Sequence, residues 1–206
     1  MNLAQFHRPA IARCFHLVPP NPIRPILKLP RILSIGKVAT TMCLLGLVFQ
    51  SIPDYPVVLF ANREEDPRRE TAVPDIVCEP QNSTDWLGGR DLRAGGTWLG
   101  INDHGLIAAV TNRNKQHLPS SPRSPDLATA AEHAERELRT GQYAGCNFML
   151  DDTHSALVIE AGNELHLSPL SQGTILIANA GLNDPQDARI NRVRRLLEEA
   201  DGINAV

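Results

Sequence analysis

The chain reads as an α+β sandwich in which helices cover antiparallel sheets, and three observations point there. Short apolar runs bounded by turn residues succeed one another from residue 43 onward, the mark of strands joined by hairpins. Only the stretches 124–141 and 184–202 carry apolar residues at helical spacing. The order is therefore strands, helix, strands, helix, which segregates helices onto sheet faces. At 206 residues, 42% hydrophobic and 21% charged, the chain has the length and composition for one domain with a real core. Aromatic residues make up only 4%, so Leu, Ile, Val and Ala must build that core. No uninterrupted apolar run reaches the roughly 18 residues of a spanning helix, so the expectation is a soluble, cytoplasmic chain without a membrane span.

Residues 1–41 differ in kind from the rest of the chain. They hold Arg8, Arg13, Arg24, Lys28, Arg31 and Lys37, six prolines and no acid. The remainder carries 14 of the 20 cations against 23 acids, a net charge of −9. Three readings stay open for this extension: a start codon assigned upstream of the true one at Met42, an unstructured tail, and a targeting peptide. The prolines would break the amphipathic helix of a transit peptide, and no apolar segment of a secretory signal precedes a small-residue cleavage site. The first reading is preferred, with a body domain spanning 42–206. The basic charges are not interleaved with aromatics, so no nucleic-acid partner is expected.

The body opens with Cys43–Phe49, a strand whose apolar residues suit burial on both faces. Pro53-Asp54 turns the chain into a second strand, Val57–Asn62, and the two pair as a hairpin. The stretch Glu65–Asp85 is polar and broken by Pro67, Pro74 and Pro80, which predicts a long surface loop able to cover the Cys43 end of the hairpin. Gly88-Gly89 and Gly95-Gly96 predict tight turns that could bring N–H groups to a ligand. The phosphate-loop and dinucleotide-binding glycine spacings are both absent. Thr97–Ile101 is the next strand, Asn102–Gly105 a hairpin turn, and Leu106–Val110 the returning strand that delivers Thr111 and Asn112.

Ser124-Pro125-Asp126 supplies a cap, a proline at the first helical position and an early acid, and Gly141 stops the helix. Leu127, Ala131, Ala134 and Leu138 form its apolar face. Four strands are then expected at Phe148–Asp151, Ser155–Glu160, Glu164–Leu167 and Thr174–Ala178. Asn179-Ala180-Gly181 closes the last. Asp184-Pro185 starts a final helix with Ile190, Val193, Leu196 and Leu197 inward and Arg189, Arg192, Arg194 and Arg195 as a solvated face, ending at Gly202.

Chemistry concentrates at Cys43. The four cysteines, Cys14, Cys43, Cys78 and Cys146, form no CxxC pair, and three in the body are poor evidence for a disulfide framework. A reducing compartment fits. The seven histidines lack metal-ligand spacing, so neither a metal nor a permanently bound cofactor is expected. If the mature chain begins after Met42, Cys43 carries its own α-amino group, whose reference pKa of about 7.7–8.0 suits it to take the thiol proton. The plain alternative is a small buried hydrophobe at the head of a strand.

The blocks MCLLGLVF, VVLFANREED, GGRDLRAGGTWLGIND and LIAAVTNRN, in this order, resemble the NRDE family from Met42 to about Arg195. The family's Asn-Arg-Asp-Glu stands here as Asn62-Arg63-Glu64-Glu65, with one added methylene at Glu64. This resemblance implies a four-layer αββα fold like that of the N-terminal nucleophile hydrolases, whose first strand presents the catalytic residue. By motif it makes Cys43 the nucleophile, gives Arg63 and Glu64 the task of positioning it or its amine, and gives Asn112 and Asn179 the oxyanion. It also implies that relatives continue beyond the position of Val206.

Two functions are implied by that resemblance. One is an amidohydrolase or acyltransferase acting on a small C–N substrate through a Cys43 thioester. The other is a ligand-binding or trafficking protein, with Cys43 as a soft ligand to transiently held haem. The partner in either case is a small molecule, and the sequence leaves the oligomeric state undetermined.

Overall fold

The computed structural model describes residues 43–63, 65–66, 68–78, 84–113, 126–141 and 145–199. The basic extension 1–41 lies outside them. Near-continuous apolar runs build the first hairpin: β1 (Leu44–Ile52) pairs antiparallel with β2 (Tyr55–Asn62), Leu44 facing Asn62 and Leu47 facing Leu59. Asp54, at φ 65, makes the turn. The other edge of β1 pairs with β10 (Gly173–Ala178), Leu44 opposite Ala178. These three strands form one sheet in the order β10-β1-β2.

The second sheet has seven strands in simple meander order: β3 (Thr71–Val77), β4 (Trp86–Asp91), β5 (Leu99–Asn102), β6 (Ile107–Asn112), β7 (Cys146–Asp151), β8 (Ala156–Ala161) and β9 (Leu165–Pro169). Every paired neighbour is antiparallel. Two helices complete the order, α1 (Leu127–Arg139) between β6 and β7 and α2 (Ala188–Glu199) after β10. The α+β class expected from the strand and helix order is the one observed.

Burial fixes the layers. Leu45, Leu47, Phe49, Ile175 and Ile177 of the first sheet pack on Ile107, Ala109, Met149, Ala156 and Val158 of the second, forming the inter-sheet core. The alternate residues of the second sheet, among them Ala108, Val110, Phe148, Leu150 and Ile159, pack on Ala130, Ala131 and Leu138 of α1. On the far side α2 lies against β10, burying Ile190, Val193 and Leu197 while Val48 and Leu176 are also closed off. The layers run helix, sheet, sheet, helix. Among the described residues no helix is long and apolar enough to cross a membrane.

Five local expectations change. The stretch expected as one long loop over Glu65–Asp85 contains β3, an edge strand that tolerates Pro74 because a bulge between Ala72 and Asp75 leaves the missing N–H without a ladder partner to lose. Gly88 and Gly89, expected in a tight turn, lie inside β4. The cap of α1 is Asp126, which accepts the Thr129 N–H at 2.8 Å; Ser124 and Pro125 lie outside the described residues. Similarly, Asp184-Pro185 forms a turn, and α2 begins at Ala188, just after Asp187 accepts the Arg189 N–H. Arg189 and Arg194 are half-buried, the first paired with Asp187 and the second donating to Asn183, so the solvated face is confined to Arg192 and Arg195.

Two buried polar groups bear on stability. Asn147 of β7 is 1% exposed, and its Nδ2 donates to Thr111 Oγ1 at 3.1 Å within its own sheet and to Ala178 O at 2.7 Å in the other. Asp151 is fully buried at the opposite end of β7; burial pushes its carboxyl up to about 6, against the Thr153 N–H that it accepts at 2.6 Å, with Asp152 adding to the rise.

Asn147→Ala strands both acceptors and is expected to cost about 1–3 kcal/mol in urea unfolding. For Asp151, the folded pKa exceeds the unfolded value of about 3.9, so the folded state holds the proton more tightly and stability falls as pH rises towards and through 6. Asp151→Asn keeps an acceptor for Thr153 and removes that loss. Its gain in urea midpoint over the parent chain is expected to be larger at about pH 7.5 than at about pH 5.

Candidate functional site

Strand pairing brings distant segments to one end of the sandwich. Because Leu44 sits between Asn62 and Ala178, the residues just beyond those positions, Cys43, Arg63 and Asn179, gather at one edge of the first sheet. On the second sheet Asn112 ends β6 at the same edge, facing Cys146 in register. The Asn179 Nδ2 donates to the backbone carbonyl of Asn112 and so joins the two sheet ends. Cys43, Arg63 and Asn112 line one small cavity of about 30 Å³, walled also by Leu45, Trp98 and Val110. That volume admits a water or two.

Of the five residues expected here, three share the cavity. Asn179 bonds to its rim and lines the adjoining cleft with Arg113. Glu64 lies outside the described residues; its neighbour Glu65 is on the cavity wall. Cys43 is half-buried. Cys146, by contrast, is buried, and its thiol is pushed up to about 11 by burial, only partly opposed by Arg113, which leaves it a poor nucleophile at neutral pH.

Arg63 is held from three sides. Its Nη1 donates to Thr71 Oγ1 at 3.1 Å, its Nη2 lies 3.9 Å from Asp91 Oδ2, and its guanidinium carbon stands 4.3 Å from the centre of the Trp98 ring. The indole in turn lies flat across β4 at Gly89, where any Cβ would come within 3.0 Å of the ring. The glycine that suggested a turn is therefore a seat for Trp98.

Asp91 anchors the electrostatics. Its side chain is completely buried and its Oδ2 pairs with Arg69 Nη2 at 2.5 Å, while Arg69 also reaches Glu65 at 3.3 Å. Its Oδ1 accepts the N–H groups of Arg93 at 3.0 Å and Ala94 at 3.2 Å, in a turn that closes on Gly95 at φ +77. Burial alone would raise this carboxyl, but the Arg69 guanidinium and the two N–H groups outweigh it and hold the pKa below the ordinary value. Sequence reading reached Cys43, Arg63 and Asn112 by motif. It missed Asp91, Arg69 and Thr71, whose pairings join segments with no fixed spacing; the Asp closing Gly-Gly-Arg-Asp was the one available signal.

A family model described as Transport and Golgi organisation 2 matches residues 42–203. The Transport and Golgi organization 2 homologue of Mus musculus is 28% identical over 166 residues, covering 70% of this chain and 59% of that protein. The Homo sapiens homologue gives the same identity and coverage, and the Bos taurus one is 26% identical over 163 residues. The chain thus spans 59% of the length of these relatives. Among solved structures, penicillin V acylase from Agrobacterium tumefaciens covers 77% of this chain and 49% of its own at 13% identity and a TM-score of 0.28, a superposition too loose to bear on fold or site.

Asp91→Asn leaves two guanidinium groups without their buried counter-charge and is expected to cost roughly 3–5 kcal/mol at neutral pH. A carboxyl held low contributes stability that is complete above its unfolded value of about 3.9 and is lost as pH falls through the folded one. The gap between variant and parent, read from thermal or urea unfolding, should therefore close in acid.

Proposed function

The chain belongs to the Transport and Golgi organisation 2 family, the eukaryotic name of the NRDE family it resembles, and we propose that it is a cysteine acyl-transfer enzyme acting on small C–N substrates. The observation that carries this reading is the convergence of Cys43, Arg63 and Asn112 on one cavity from three separate strand ends.

In the proposed reaction the Cys43 thiol gives its proton to the residue's own α-amino group, present once the chain begins at Cys43, and the thiolate attacks the amide carbonyl. A tetrahedral oxyanion forms. The resemblance gives that oxyanion to the side-chain amides of Asn112 and Asn179, and a donor of this kind is worth about 3–4 kcal/mol in acyl transfer; Asn112 lines the cavity, whereas the Asn179 Nδ2 donates to the Asn112 carbonyl at its rim. The C–N bond then breaks, the amine leaves with the proton from the ammonium, and a Cys43 thioester remains. Water, or a second amine, takes the acyl group and restores the thiol. Arg63, braced by Thr71, Asp91 and Trp98, gives the site a fixed positive charge beside the reacting carbonyl.

Among the described residues the cavity wall contains no histidine, and the carboxylate there, Glu65, is paired with Arg69. Proton removal therefore depends on the cysteine's own amine, which favours a second reading for chains that keep Met42. There the amine is locked in a peptide bond, and a half-buried thiol among Leu44, Leu45 and Val110 is suited to bind a ligand, transient haem included, as a soft donor.

Chromogenic amides of small acids, offered to a chain beginning at Cys43, test the first reading. Cys43→Ala should lower turnover by roughly 10³-fold or more, as loss of a covalent nucleophile does, and restoring Met42 ahead of Cys43 should lower it as well. Unchanged turnover in Cys43→Ala would retire the acyl-transfer mechanism. A haem absorption spectrum that differs between the parent chain and Cys43→Ala would then support the binding role.

A further inference from the structure

The first sheet has three strands and the second seven, so the first stops covering its partner at β2. Register places Ile76, Leu87, Ile101 and Ile107 in one row across β3 to β6, on the face turned to the first sheet, where Ile107 and Ile101 join the inter-sheet core. Leu87, further along the row, is 38% exposed. Between Leu59 on the edge strand β2 and this row lies a groove of about 360 Å³ walled by Pro74, Leu87, Trp98, Leu99 and Ile101. Among the described residues none of its lining side chains is titratable. Its lining includes backbone at Gly88, Gly89 and Gly100.

Trp98 ties this groove to the candidate site. The Trp98 ring lines both the groove and the Cys43 cavity, seated on Gly89 and stacked under Arg63. Polar machinery thus stands on one side of the Trp98 ring and an apolar trough on the other. A volume of this size suits a small-molecule ligand, and the cavity at Cys43, with room for a water or two, holds only the reacting carbonyl. We propose that the groove binds the aliphatic acyl chain of the substrate, making the substrate class an N-acylated amine with an apolar, unbranched acyl group. The inference rests on the acyl-transfer reading for which carbonyl is presented to Cys43, and on the groove alone for the ligand's apolar part.

Binding and turnover are measured separately to distinguish the two. The full chain carrying Cys43→Ala is titrated with acetamide, hexanamide and decanamide, and tryptophan fluorescence reads the occupancy beside Trp98. Dissociation constants are expected to fall about fourfold for each methylene the groove buries. Leu87→Asp in the same background, a change at a solvent-accessible position, should weaken decanamide binding at least tenfold, and Pro74→Asp on the exposed edge strand should act in the same direction. Equal affinity across the series, or decanamide binding untouched by both aspartates, overturns the groove assignment and leaves the acyl-transfer reading to its own test with acetyl amides. Chain-length-dependent binding that both aspartates weaken upholds the groove even if Cys43→Ala fails to lower turnover, in which case only the nucleophile is retired.

Discussion

Two side-chain amides cross between the sheets at one end of the molecule, and the site exists because they do. Asn147 reaches from the second sheet to the Ala178 carbonyl of the first, and Asn179, just past the first sheet, returns the bond to the Asn112 carbonyl of the second. Apolar packing between Leu47, Met149 and Ile177 is strong but has no preferred direction, so it would let one sheet slide over the other. Hydrogen bonds with fixed partners do not. They set the mutual position of the strand ends that carry Cys43 and Asn112.

Asp91 and Asp151 show how local surroundings set the role of a buried carboxylate. Both are fully buried. Asp91 meets the Arg69 guanidinium and two N–H groups and is held ionised; Asp151 accepts the Thr153 N–H with Asp152 close by and is driven towards its neutral form. The first lies beside Arg63 at the candidate site and the second at the far end of β7. Charge in this fold is concentrated where Arg63 must be kept in place, through the Asp91, Arg69 and Glu65 series.

Much of the architecture was legible because local chemistry and global packing agree. Leu44–Ile52 and Tyr55–Asn62 are apolar runs joined by an Asp-containing turn, and Leu127 to Leu138 repeat at helical spacing beneath an aspartate cap. Misreadings arose where tertiary contact overrides local propensity. Pro74 argues against a strand, yet a bulge on an edge accommodates it. Gly89 argues for a turn, yet its missing side chain is what allows Trp98 to lie on β4. Arg63 was found by motif, while its partners Thr71 and Asp91 come from strands whose approach no spacing rule encodes.

The strand order also governs when the molecule can become whole during synthesis. The seven-stranded sheet is a succession of neighbouring strands, so it can zip up as it emerges, with α1 the one helix among the described residues that interrupts it. The three-stranded sheet cannot: its central strand, β1, must wait for β10, and Leu44 meets Ala178 only after every strand of the other sheet has been made. Closing so long a loop is the slow step of such a topology. Until then the thiol of Cys43 travels beside an incomplete sheet edge, and neither Asn179 nor the Ala178 carbonyl is there to complete its surroundings. The cysteine at the head of β1 is thus made before the strands that complete its surroundings.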